Sequence, residues 1–194
     1  MKSKDFDKLP NADQIRSELQ RERHRSKYNR TLRSTFFALV VVAAIAVLVA
    51  TIWLPVFRIY GTSMTPTVSE GDIVVSLEGS AFSCGDVVAL WYGNKLLVKR
   101  VIAGPAQWVD IDADGNVYVD SELLDEPYVS EKAFGDCNIE LPYQVPDGRY
   151  FVMGDHRSTS QDSRSSVVGC IAKEQIVGRI VFRIWPLNGF GKIG

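Results

Sequence analysis

The most constraining feature of this chain is a run of twenty-four residues without a single charge, positions 34–57 (STFFALVVVAAIAVLVATIWLPVF), almost wholly apolar from Phe36 to Leu54. At 1.5 Å per residue, about 20 such residues cross a hydrocarbon layer of roughly 30 Å. A helix buried in a soluble core keeps a polar face, and this run has none. A cleaved secretory leader carries an apolar stretch of only about 7–15 residues close to the N-terminus. Here the run begins after residue 33 and is longer. The expectation is an uncleaved anchor that crosses the membrane once.

Flanking charge sets the orientation. Arg21, Arg23, Arg25, Lys27, Arg30 and Arg33 crowd the N-terminal side, while only Arg58 follows closely. Positive residues favour the cytoplasmic side, which places the N-terminus inside, the C-terminal body outside, and Trp53 and Tyr60 near the outer interface. Counting Lys and Arg against Asp and Glu, residues 1–33 hold ten against five and residues 58–194 hold twelve against eighteen. The net charge of −1 and the acidic outer part argue against a nucleic-acid partner, which would call for a basic face. In the N-terminal part, Asn11 reads as a helix cap with Gln14 three positions on, leading into a charged, solvated helix. The predicted division is a cytoplasmic segment (1–33), a transmembrane anchor (34–57) and one extracytoplasmic β domain (58–194) with a hairpin insert at about 105–146.

Beyond the anchor, short runs of β-branched and aromatic residues are broken by Gly, Pro and Asp: DIVVSL at 72–77, DVVALWY at 86–92, KLLVKRVIA at 95–103 and VGRIVFRIW at 177–185. The pattern predicts a mainly β fold. WVDIDADGNVYVD at 108–120 alternates on both sides of Asp114-Gly115, which predicts a hairpin with a two-residue turn. Asp110, Asp112, Asp114 and Gly115 also fit the opening of a calcium loop. That loop needs a Glu at its twelfth position and flanking helices, whereas Ser121 stands there and strands flank it, so no metal is expected.

Histidine chemistry is scarce. A Ser-His-Asp triad in the outer body could draw only on His156, since His24 precedes the anchor. The G-x-S-x-G elbow is broken by Thr65, and a cysteine nucleophile among Cys84, Cys137 and Cys170 would again have only His156. Lysine remains. A lysine in an apolar strand ordinarily turns its amine to water, but a desolvated one loses basicity and can act as a general base. Lys99, within KLLVKRVIA, is such a candidate, and Ser63, about six residues past the apolar run, is the candidate nucleophile.

Four boxes in order, GTSMTPT with GDIVV (61–75), KRVIA (99–103) and MGDHRSTSQDSR (153–164), with WVDIDADGNVYVDSELLDEPYV between the last two, resemble the type I signal peptidase family in a compact, Gram-positive-like form. The likeness spans roughly residues 35–187. It implies a signal-peptidase-type β-sheet core with a small hairpin insert, preceded by one transmembrane helix. It implies Ser63 as nucleophile, Lys99 as general base, Met64 shaping the substrate cleft and Ser160 orienting the lysine amine. Asp155, Arg157, Asp162 and Arg164 would then support the site through ion pairs, without moving protons. The implied partners are signal peptides of exported preproteins, cut after small residues at the first and third positions before the bond, and the bilayer. A monomer in a bacterial cell membrane, with no cofactor and no metal, is expected.

Three positions depart from the family pattern. Gly104-Pro105-Ala106-Gln107-Trp108 replaces the usual continuation of the lysine box, His156 stands where asparagine is common and is expected to face solvent, and Gly61 replaces a serine that some relatives use toward the oxyanion. The oxyanion hole would then rest on backbone N–H groups, including that of Ser63. Three outward cysteines permit one disulfide, with Cys137–Cys170 a possible pairing and the connectivity open. Rival readings are a self-cleaving repressor relative, which would be soluble with a DNA-binding domain, and a membrane-anchored β module without activity.

Overall fold

The computed structural model describes residues 12–79 and 81–193; the Asn11 cap lies outside them. A single helix, α1 (Ala12–Trp53), runs through the charged segment and the apolar one without a break. Neither a Gly nor a Pro interrupts it until Pro55. The described residues of its apolar part are exposed, and the helix is long and apolar enough to cross a membrane.

The remainder is antiparallel β, as the run pattern predicts. Its strands are β1 (Val56–Arg58), β2 (Ile73–Glu78), β3 (Val87–Tyr92), β4 (Lys95–Ala103), β5 (Trp108–Ile111), β6 (Val117–Val119), β7 (Glu122–Leu123), β8 (Tyr143–Gln144), β9 (Arg149–Met153), β10 (Ile171–Ala172), β11 (Ile176–Trp185) and β12 (Gly191–Lys192). The larger sheet runs β1-β2-β11-β3-β4-β9-β10, with β12 also on β11, and the smaller runs β7-β6-β5-β8.

Register in the larger sheet places the lysine strand. β3 and β4 form a hairpin with Tyr92 opposite Lys95 and Val88 opposite Lys99, closed by Gly93-Asn94 with Gly93 at positive φ. β9 pairs on the other side of β4, Arg100 opposite Met153. From Lys99 to Ala103 every residue of β4 is buried. Ile102, Ala103, Phe151 and Met153 of this sheet pack with Val109, Ile111, Val117 and Val145 of and beside the smaller one, so one core joins both sheets. A second cluster gathers Ile59, Met64, Val68, Val74 and Val87 under the loop between β1 and β2.

The turn at Asp114-Gly115 is longer than the sequence pattern predicts. Ile111 pairs with Val117, leaving five residues, 112–116, in the loop. Asp112 explains the difference: its carboxylate accepts from Asp114 N–H (3.0 Å), Asn116 N–H (2.8 Å) and Asn116 Nδ2 (2.7 Å). A short carboxylate that captures the backbone after it builds its own turn, and here only Gly115 adopts positive φ, whereas a two-residue type I′ turn needs two such residues.

Candidate active site

Ser63 sits in the β1–β2 loop. Gly61 opens this loop at φ +84°, a conformation strained for any residue with a Cβ. The loop then closes on itself. Thr65 N–H (3.1 Å) and Thr65 Oγ1 (2.7 Å) both donate to the Thr62 carbonyl, and Val68 N–H donates to the Met64 carbonyl at 2.9 Å. Buried Met64 and Val68 anchor it in the core below. Half-buried Ser63 thereby lines a cleft of about 550 Å³ between the extended segments 56–60 and 95–98. Those walls are mostly apolar, with Phe57, Ile59, Leu96 and Val98 among them, and Met64 lies beside the serine.

Lys99 is 4 % exposed. Its Nζ donates to Ser160 Oγ at 2.9 Å. Burial lowers its pKa from 10.5 to about 8; the Asp162 carboxylate opposes the shift, the Arg164 guanidinium adds to it and Asp155 opposes it again. Ser63 and Lys99 share no hydrogen bond. What joins them is the turn after β9, where His156 N–H donates to the Ser63 carbonyl (3.1 Å) and Ser160 holds the lysine. Gly154 lets that turn approach, because a Cβ there would overlap both Ser160 Oγ and the Ser63 carbonyl.

Three fully buried guanidiniums surround the lysine. Arg164 donates through Nε (2.8 Å) and Nη2 (2.9 Å) to Asp162, and Asp162 also accepts from Gly154 N–H at 3.0 Å. Burial alone would raise the Asp162 pKa, but the Arg164 guanidinium and the Gly154 N–H hold it below the ordinary value. Asp155 accepts both Nε (2.9 Å) and Nη2 (2.8 Å) of Arg100. Arg157 pairs with Glu126, one of its two bonds measuring 3.0 Å. Each of these guanidiniums has a carboxylate, and among the described residues Lys99 forms no ion pair.

All eight residues singled out from the sequence thus lie in this one region. Three others were missed: Arg100, Glu126 and Tyr128, whose ring lies 3.8 Å from the Arg100 guanidinium carbon. The available signals were the second cation inside KLLVKRVIA and the acid and aromatic of Asp125-Glu126-Pro127-Tyr128.

One expectation, for His156, needs correction, and one pairing left open is decided. His156 is half-buried, and its Nδ1 is enclosed with no hydrogen-bond partner among the described residues. Cys137 and Cys170 form no disulfide. Cys84, Cys137 and Cys170 are all free thiols. Cys170 is committed to the core joining the two sheets, whereas Cys137 lies in the partly exposed stretch before Asn138, whose N–H donates to the Arg164 carbonyl.

The fold defines a class: a mainly antiparallel β body preceded by an apolar helix. Residues 32–185 match the family described as signal peptidase, peptidase S26, and the chain belongs to that family. Signal peptidase I of Bacillus licheniformis is 32% identical over 171 residues, 80% of this chain and 89% of the relative. Signal peptidase IB of Staphylococcus aureus (strain COL) is 34% identical over 155 residues, 69% and 79% of the two chains. Among solved structures, a signal peptidase I from Enterococcus faecalis V583 is similar with a TM-score of 0.44 at 23% identity, over 52% of this chain and 97% of that one.

Proposed function

We propose that Ser63 is the nucleophile and Lys99 the general base of this signal peptidase, a membrane-anchored serine peptidase that removes signal peptides from exported preproteins. The observation that carries the assignment is the desolvated Lys99, its amine fixed by Ser160 and linked through one turn to the Ser63 backbone. Neutral Lys99 Nζ takes the Ser63 proton as Oγ attacks the scissile carbonyl carbon. The oxyanion is met by backbone N–H groups, among them that of Ser63, which has no partner among the described residues. Lys99 then hands the proton to the leaving amine, an acyl-enzyme remains on Ser63 Oγ, and water activated by Lys99 releases the mature protein.

In an extended peptide, the first and third residues before the cut point to the same side. Shallow apolar walls on that side accept small side chains such as Ala and exclude large ones. The single apolar helix serves as the anchor (34–57), with residues 1–33 cytoplasmic and the β domain (58–194) acting outside as a monomer. Ser63 follows the apolar run closely in sequence, so it works where an incoming signal peptide presents its cleavage site.

The test is cleavage of a synthetic Ala-x-Ala signal-peptide substrate in detergent by wild type, Ser63→Ala and Lys99→Ala, with circular dichroism confirming that all three are folded. Cleavage by wild type alone is expected. Equal cleavage by either variant would refute the dyad.

A further inference from the structure

Resting on the Ser63/Lys99 reading, we infer that Glu126 is a positioning residue for the base: by clamping Arg157 it fixes the 154–160 turn that sets Ser160 against Lys99. Glu126 lies outside the boxes that carry Ser63, Lys99 and the 153–164 turn, yet its side chain and that of Arg157 are fully buried against each other. Its second contact is Tyr128 Oη, which donates to Oε1 at 3.4 Å.

From Arg157 the connection reaches the reacting groups in short steps. Arg157 Nε donates to the Gly154 carbonyl at 3.2 Å. Gly154 is the residue whose Cα packs against Ser160 Oγ and the Ser63 carbonyl, and its N–H holds Asp162. Arg164 Nη2 donates to the Arg157 carbonyl at 2.8 Å, which ties the same turn to the Asp162–Arg164 pair. Glu126 is therefore one guanidinium away from the peptide unit that spaces serine, lysine and Ser160.

The segment bearing Glu126 is braced for this role. Between residues 126 and 134 it supplies the Glu126 carboxylate to Arg157, the Tyr128 ring to Arg100, and the Ala133 (3.3 Å) and Phe134 (2.9 Å) carbonyls to Arg164. One strap closes all three buried guanidiniums. Behind it stands the β5–β6 hairpin tip, where Lys132 Nζ donates to Asn116 Oδ1 at 2.8 Å and Gly115 packs so closely on Ala133 that a Cβ would overlap it.

Glu126 also bears on the protonation of the amine, through Ser160. The groups bearing on Lys99 are Asp155, Asp162 and Arg164, and those on Glu126 are Arg157 and Tyr128. Loosening the turn withdraws Ser160 Oγ from the Lys99 amine, and loss of that acceptor disfavours the protonated form.

The experiment compares kcat, KM and the acid limb of kcat against pH for Glu126→Gln and Glu126→Asp in the full chain in detergent. Ile171→Ala, a core truncation on β10 with no role in the site or the strap, serves as a stability control, with every assay run below the melting transitions. Glu126→Gln is expected to lose about tenfold or more in kcat, with KM within about threefold and the acid limb moved to lower pH; Glu126→Asp recovers part of the loss. Ile171→Ala melts lower with kcat retained. If Glu126→Gln melts lower but keeps wild-type kcat and pH limb, the inference is overturned. Should Glu126→Gln not fold, Glu126→Met/Arg157→Met removes both charges with little strain. Low kcat in that folded double variant supports the role, and wild-type kcat overturns it. Cleavage by Lys99→Ala would instead defeat the dyad reading, whatever Glu126 does.

Discussion

The pH dependence of turnover follows directly from where Lys99 sits. An ordinary lysine at 10.5 is neutral in only about 0.03 % of molecules at pH 7, whereas one at about 8 is neutral in roughly 10 %. Burial thus multiplies the competent fraction about 300-fold near neutrality. The sign is fixed by the role of base: protonation removes it, so kcat/KM falls as pH drops through the lysine's own pKa. Measured with Ala-x-Ala peptide well below KM in detergent, kcat/KM should level off above about pH 9, bend near 8 and fall with unit slope below, close to tenfold per pH unit. A kcat/KM that varies by less than about threefold from pH 6 to 9 would refute the reasoning, because no group titrating near 8 would then carry the base function.

The desolvation that suits Lys99 to the proposed role of base also destabilises the fold. Its folded pKa lies below its unfolded one, so the penalty is full below about pH 8 and fades between 8 and 10.5. Lys99→Met is expected to abolish cleavage while raising the melting temperature at pH 7, by up to about 3 kcal/mol of stability, with the advantage shrinking toward pH 10; melting followed by circular dichroism at both pH values checks this. Gly154→Ala forces a methyl into Ser160 Oγ and the Ser63 carbonyl. Activity should drop by about tenfold or more with a loss of about 1–3 kcal/mol, read by kinetics and melting together; unchanged kcat would show that the close approach is unnecessary. Cys170, buried and with its thiol pushed up to about 11 by burial, should resist maleimide until the protein is denatured, while exposed Cys84 reacts in the native state. Peptide mapping by mass spectrometry distinguishes them.

How much was legible in the sequence varied with the kind of interaction. Strands were readable because β-branched runs bounded by Gly and Asp carry their own signal. KLLVKRVIA coincides with Lys95–Ala103, and the other three predicted runs lie within a residue of β2, β3 and β11. The hairpin tip was misread because a side chain, Asp112, set the backbone there. Around the candidate site, the boxes carried Ser63, Lys99 and the 153–164 turn by resemblance, but periodicity alone would have sent Lys99 to water. What buries it is tertiary: β9 beside β4, and cations paired across long separations, Arg100 with Asp155 and Arg157 with Glu126. Neither pairing leaves a local pattern. Two adjacent cations in a strand say only that each face receives one.

The matching of three buried arginines by three carboxylates leaves the lysine amine, among the described residues, as the one cation in that interior without an acid of its own. On the proposed mechanism this amounts to a rule about cargo. An exported protein with Asp or Glu beside the scissile bond would bring a carboxylate to the lysine, favour its protonated form and so slow its own processing. The discrimination would sharpen as pH falls and would need no steric clash. On that mechanism, residues flanking a cleavage site would be screened by charge as well as by size.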